Sequence, residues 1–229
     1  MAVPGSELAL VLHLPEGGER VACVVACHGL RASKDSEKYL LLASELPAAG
    51  FALARFDFRG CGESSGREED TTVGTRVEDA RAVLAALHGH PRLGGRFGLL
   101  GSSMGGFVAL CLAAERGDGR PVVTWNAPAN FSDLADRPTV EGEGLGVPFF
   151  EEQAAGRYGE APHGVAGHLV IQAEADDVVP LEHGVLLHER AAAPCDIVIV
   201  AGADHRLSDT VHRREAVARS LEWFKRYLE

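Results

Sequence analysis

The chain has 229 residues, 46% of them hydrophobic and 24% charged, which suits a single domain with one sizeable core under an ordinary charged surface. Its formal net charge of −11 argues against nucleic acid and anionic membrane surfaces as partners. The N-terminus lacks a basic region leading into an apolar stretch, and no run approaches the roughly 18 apolar residues of a membrane span, so a cytoplasmic location is expected. The five cysteines (Cys23, Cys27, Cys61, Cys111, Cys195) are odd in number and scattered, as reduced thiols would be.

Glu7 to Leu14 reads as a strand stopped by Pro15-Glu16-Gly17-Gly18. Arg20 to Cys27 is a continuous apolar run rich in β-branched residues, expected of a strand buried on both faces, and it ends in His28-Gly29-Leu30-Arg31. Ser36 to Leu46 carries apolar residues at helical spacing and closes at Pro47 and Gly50. Phe51 to Phe56 is the next strand, followed by a helix over Thr75 to Leu87 that Gly89, Pro91, Gly94 and Gly95 end. Phe97 to Leu100 is a strand that meets Gly101-Ser102-Ser103-Met104-Gly105-Gly106, and Phe107 to Ala114 then reads as helix.

Pro121 to Trp125 is a strand leading into Asn126-Ala127-Pro128. From Asn130 to about Gly167 the pattern lapses for longer than an ordinary turn, and the aromatic residues there suggest a small cap over 130–167. His168 to Ala173 is a strand, Glu182 to Ala192 a helix, Ile197 to Val200 a strand, and Asp209 to Leu228 a terminal helix. Strands alternating with helices imply an α/β fold with a mostly parallel sheet of about seven or eight strands covered by helices.

Gly101-Ser102-Ser103-Met104-Gly105 matches the G-x-S-x-G nucleophile elbow, a strand–turn–helix in which a serine at the tip strains its own backbone while glycines relieve crowding on either side. With 27 glycines in the chain, a chance match is expected roughly 0.15 times, so the elbow needs supporting groups. A serine hydroxyl needs a base to take its proton and an acid to orient that base. In an open parallel sheet such groups gather at the carboxyl ends of strands. His205 follows the last strand and is the candidate general base. Asp176 follows the preceding strand and is the candidate acid, with Asp177 and Glu174 as neighbours. The order Ser103, Asp176, His205 is that of α/β-hydrolases. The amides of Met104, at the start of the elbow helix, and Leu30, after the Arg20–Cys27 strand, are the candidate oxyanion hole. His28 is placed on the substrate side of the same loop, bracing it by hydrogen bonds rather than moving protons.

His28-Gly29, Asp57-x-Arg59-Gly60-x-Gly62-x-Ser64, the elbow, Asp176-x-x-Val179-Pro180 and Asp204-His205 together resemble the α/β-hydrolase superfamily. The likeness runs from about residue 7 to the end. It is strongest to small bacterial serine esterases of the cinnamoyl or feruloyl esterase kind, and extends to serine-aminopeptidase-like and acylglycerol-lipase-like groups. The resemblance implies ester hydrolysis through an acyl-serine without a cofactor, with Ser103, Asp176 and His205 as the triad, Leu30 and Met104 as oxyanion donors, and the Asp57–Ser64 stretch as structural. Relatives have two antiparallel strands ahead of the buried one, and this chain has room for one clear strand. They often carry His-Gly where this chain has Gln172-Ala173.

Phe131, Trp125, Phe149 and Phe150 are candidates for an apolar substrate wall. The expected substrate is a small-molecule carboxylic ester with a small or aromatic acyl group, and a homodimer is left open. Thioester or aminopeptidase-like cleavage by the same triad, and a hydrolase scaffold retained for binding, are the competing readings. No lysine follows Gly105-Gly106 as a phosphate loop would need, Ser65 stands where a dinucleotide fingerprint would place its third glycine, and no metal-ligand spacing stands out.

Overall fold

The computed structural model describes residues 2–3, 6–131 and 145–228. A short antiparallel ribbon of β1 (Ala2–Val3) and β2 (Ser6–Glu7) precedes the main sheet. That sheet has seven strands: β3 (Leu10–His13), β4 (Val21–Cys27), β5 (Ala52–Phe56), β6 (Leu93–Ser102), β7 (Val122–Trp125), β8 (His168–Ala173) and β9 (Cys195–Val200). Their order is β3-β5-β4-β6-β7-β8-β9. Only β3 runs antiparallel, against β5, and every other neighbouring pair in the main sheet is parallel. The sheet is therefore mostly parallel, as expected, with one antiparallel strand at the β3 edge. It has seven strands, the lower of the two counts expected.

The helices are α1 (Glu37–Ala48), α2 (Val73–Leu87), α3 (Met104–Arg116), α4 (Val147–Ala154), α5 (Leu181–Arg190) and α6 (Thr210–Tyr227). Strand side chains alternate between faces. Cys23, Val25 and Cys27 of β4 join a core with Val77, Ala80 and Leu84 of α2 and Phe107 and Leu110 of α3. Ala22, Val24 and Ala26 of the same strand face the opposite core, with Tyr39, Leu42 and Leu46 of α1 and Val217 and Phe224 of α6. Burial on both faces is what the unbroken apolar runs required. All five cysteines are free.

The structure departs from the sequence pattern at several element ends: the strand expected over Glu7–Leu14 is confined to Leu10–His13, and β9 starts earlier, at Cys195. Pro47 lies inside the last turn of α1 instead of ending it. β6 begins at Leu93, so Gly94 and Gly95 belong to the strand; Gly95 has φ +83° and the register against β4 shifts between Val21 and Cys23. A glycine-bearing irregularity of this kind lets a strand continue where composition suggests a break. α4 arises within the span expected to be a cap. Its Glu152 accepts from the Val73 and Gly74 amides at 2.8 and 3.0 Å, which fixes it to the N-terminus of α2. Residues 132–144 of that span lie outside the described residues.

The chain leaves β4 for β5 on one side and returns to β6 on the other. The carboxyl ends of β4 and β6 therefore open onto the crevice where such sheets bind ligands.

Candidate active site

Ser103 sits between the last residue of β6 and the first of α3, with φ 55° and ψ −131°. A left-handed serine of this kind costs about 1–3 kcal/mol and persists only where the surroundings impose it. Its amide donates to the Trp125 carbonyl at 2.8 Å, and its carbonyl accepts from Gly106 at 2.9 Å. A Cβ on Gly101 would run into the Gly105 carbonyl, and one on Gly105 into the Cys27 carbonyl. Both elbow glycines are thus fixed by backbone packing, and the turn cannot relax without separating β4, β6 and α3.

His205 and Asp176 come from the loops after β9 and β8. His205 Nδ1 lies 2.8 Å from Asp176 Oδ2, while Asp176 Oδ1 accepts from the Val178 and Val179 amides at 2.9 and 2.7 Å. The Asp176 side chain is fully buried. Both of its oxygens are engaged, so the carboxylate holds one orientation and fixes the imidazole with it. The His205 ring engages Asp176 through Nδ1, which leaves Nε2 for a proton from a serine. Both His205 and Ser103 line a cavity of about 770 Å³. Asn126 supports the His205 loop, its side-chain amide donating to the His205 carbonyl at 2.9 Å.

The loop after β4 closes over the elbow. A Cβ on Gly29 would lie 3.0 Å from Ser103 Cβ and 3.6 Å from its Oγ. Its backbone is held from the inside. His28 Nδ1 lies 2.7 Å from the Gly29 carbonyl, and Nε2 accepts from the Phe58 amide at 3.1 Å. The buried Arg76 guanidinium donates to the His28 and Gly29 carbonyls, each at 3.2 Å, and lies over the Phe58 ring. Because a trans peptide points its C=O and N–H in opposite directions, holding the Gly29 carbonyl inward turns the Leu30 N–H outward. Met104 opens α3, where first-turn amides have no intrahelical acceptor. Burial, aided by the Arg76 charge, pushes the His28 pKa down to about 3, so the ring is neutral. Burial likewise pushes the Cys61 thiol beside Arg76 up to about 11.

The structure brings Ser103, Met104, Leu30, Phe131 and His205 to the cavity wall, with Asp176 directly behind His205. It does not bring the other sequence candidates there. His28 is buried with both ring nitrogens engaged, which makes it a brace for the loop and removes it from the substrate side. Trp125 points to the α6 face and donates to Ser220 Oγ at 3.0 Å; strand alternation sends it there with Val123. Phe149 is buried between Phe131 and Phe150, edge to face with both, and packs behind the wall with Phe150 beside it. The wall also contains Val179 and Pro180 of the Asp176-x-x-Val179-Pro180 motif, and Lys38, Arg206, Arg213, Val178 and His183, which carried no sequence signal for the site. Lys38 and Arg213 read as ordinary positions on amphipathic helices. Among the described residues no group of three or more His, Cys, Asp or Glu side chains could hold a metal ion.

The Asp57–Ser64 stretch shapes a turn below the cavity. Asp57 accepts from the Lys34 amide at 2.7 Å and the Glu63 amide at 3.0 Å, and Ser64 Oγ donates to the Asp57 carbonyl at 2.6 Å.

A seven-stranded, mostly parallel sheet with a serine elbow after β6 and a carboxylate–histidine pair after β8 and β9 defines an α/β-hydrolase. Residues 18–133 match the family model described as serine aminopeptidase, S33, and the chain belongs to that family. The ferulic-acid-bound structure of Est1E from Butyrivibrio proteoclasticus superposes with a TM-score of 0.83 at 19% identity, covering 96% of this chain and 97% of that one. Among curated proteins, the uncharacterized protein YfhR of Escherichia coli O157:H7 is 25% identical over 187 residues, 81% of this chain and 63% of its own length. Human mitochondrial palmitoyl-protein thioesterase ABHD10 is 25% identical over 179 residues, 78% of this chain and 55% of its own length. The chain thus spans less than two thirds of these curated relatives.

Proposed function

We propose that the protein is a serine hydrolase that cleaves small carboxylic esters through an acyl-serine intermediate. The observation that carries this reading is His205 on the wall of the cavity that also receives the strained Ser103, held from behind by Asp176 at 2.8 Å. In this reading Ser103 Oγ attacks the substrate carbonyl carbon while His205 Nε2 takes its proton. The oxyanion forms against the Leu30 and Met104 amides. Collapse breaks the bond to the leaving group, which departs with the proton from His205. Water then attacks the acyl carbon with His205 again as base, releasing the acid and restoring Ser103.

A thioester is the second reading, supported by the likeness to the ABHD10 thioesterase; the same steps then expel a thiol. The family's aminopeptidase description receives less support from the cavity. A free amino terminus calls for a carboxylate, and among the described residues the carboxylate on the wall is Glu37, which pairs with Arg213 at 2.6 Å. The substrate is a small molecule in either reading.

A panel of p-nitrophenyl esters, acyl thioesters and aminoacyl amides tests the assignment. Turnover of esters or thioesters that vanishes in Ser103→Ala is expected. Normal turnover by Ser103→Ala, or turnover of amides alone, contradicts it.

A further inference from the structure

The cavity wall is chemically mixed. Pro128, Phe131, Val178, Val179 and Pro180 contribute apolar wall, while Lys38 of α1, Arg206 of the β9–α6 loop and Arg213 of α6 contribute cations, both arginines close enough to the lysine to interact with it. This concentration of cations lies in a chain whose net charge is −11. Nearby carboxylates are already engaged. Glu37 pairs with Arg213, Asp176 holds His205 and two amides, and Asp204 accepts from the Ser208 amide at 2.8 Å. Half-buried Lys38 donates to Ser102 Oγ, next to the nucleophile, at 2.6 Å and has no carboxylate partner among the described residues. An ammonium withdrawn from water beside a neutral hydroxyl is incompletely compensated, and an arriving anion would supply the missing charge.

We propose that this cationic part of the wall is an anion subsite: the ester or thioester attacked by Ser103 carries a carboxylate or a phosphate, which Lys38 and Arg206 hold beside the nucleophile. The inference rests on the serine-hydrolase reading above and adds the charge of the substrate to it. Burial, with the charges of Arg206 and Arg213, pushes the Lys38 pKa down to about 8, while Asp176 and Asp204 pull it back. The other groups around the ammonium are Glu37 on its own helix, the Ser102 hydroxyl, the Tyr39 ring at 5.9 Å and the His205 imidazole across the cavity. The lysine is therefore cationic at neutral pH, and its contribution to anion binding fades as pH rises through about 8.

Two matched pairs of substrates test this: mono-p-nitrophenyl adipate against p-nitrophenyl hexanoate for a carboxylate, and acetyl-coenzyme A against the acetyl thioester of N-acetylcysteamine for a phosphate. The readout is the ratio of kcat/KM for the anionic over the neutral member, in which losses in the shared triad chemistry cancel. A ratio of about ten or more is expected in at least one pair at pH 7, the scale of one charge-assisted hydrogen bond. Which pair shows it identifies the anion. The ratio should fall severalfold between pH 7 and 9, fall in Lys38→Met and in Arg206→Gln, and be kept in Lys38→Arg. Arg206 is exposed, so its variant reports even if a Lys38 variant fails to fold. Ratios near one in both pairs, or ratios unmoved in both charge-removing variants, overturn the subsite while leaving the esterase reading intact. No turnover of any of the four substrates overturns the esterase reading and the subsite together.

Discussion

In the proposed mechanism Ser103, His205 and Asp176 contribute unequally, and their substitutions should separate. Ser103→Ala and His205→Ala should each lower kcat for a preferred ester by about 10⁴–10⁶, since each removes a group that moves in the chemical step. Asp176→Asn should cost roughly ten- to a hundredfold less, because the Val178 and Val179 amides still hold the side chain near the ring. Arg76 is buried behind the cavity wall and holds the Gly29–Leu30 peptide, so in the proposed mechanism it is a positioning residue. Arg76→Gln should lower kcat about ten- to a hundredfold with KM changed less than threefold, a fraction of the 10²–10³ that losing an oxyanion donor costs. Steady-state kinetics on a folded variant checks this, and a rise in KM with kcat preserved contradicts the positioning role. These residues were not equally legible in the sequence. The three triad candidates sit among turn residues at strand ends, where composition marks a loop. Arg76 and Lys38 lie inside helical patterns, where a basic residue reads as solvent-facing. Trp125 is an aromatic residue at a strand end, which suits a substrate wall, but the alternation of β7 turns it into the α6 core.

At the scale of elements, the elbow is held by glycines that abut backbone. Gly101→Ala and Gly105→Ala should each lower Tm sharply or prevent folding, because the added methyl meets a main-chain carbonyl that cannot move alone. Gly89→Ala is the matched control. Nothing lies within 4 Å of its added methyl, so its Tm should change little or rise. Thermal unfolding of the three variants is the measurement, and equal effects would contradict the packing account. Element type was readable where the hydrophobic pattern was strong, as in the unbroken apolar run of β4 and the helical spacing of α1 and α2. Boundaries were not, because Gly94 and Gly95 look like a break until the neighbouring strand accommodates them in β6. α4 could not be read because its placement depends on Glu152 reaching the amides of Val73 and Gly74, a contact between residues far apart in the chain.

At the scale of the molecule, two apolar cores sandwich one sheet, and the face that packs on α2 and α3 encloses two neutral histidines. His28 braces the cavity loop, while His168 at the start of β8 pairs with Thr124 Oγ1 at 2.9 Å; burial first of all pushes both pKa values down to about 3. In the unfolded chain these rings titrate near 6.5. Between about pH 6.5 and 3 the unfolded state therefore binds protons that the folded state does not, so stability is full above that window and declines through it as pH falls. Tm measured from pH 7 to pH 4 should fall, and His168→Asn should flatten part of that fall; a flat profile contradicts neutral burial. Among the described residues no helix is long and apolar enough to cross a membrane. The fold as a whole was the most legible level, since alternating strands and helices leave few topologies. The substrate was the least legible, because Lys38, Arg206 and Arg213 meet only after the sheet has brought α1, α6 and the β9–α6 loop to the cavity.

In the proposed mechanism folding converts Ser103 into an activated nucleophile. Labelling the native protein with a fluorophosphonate and mapping the adduct by mass spectrometry reads that activation at the residue itself. One adduct on Ser103 is expected, absent in Ser103→Ala, much slower in His205→Ala and lost on denaturation before labelling. A folded protein that takes no label, or takes it at another residue, would contradict the account.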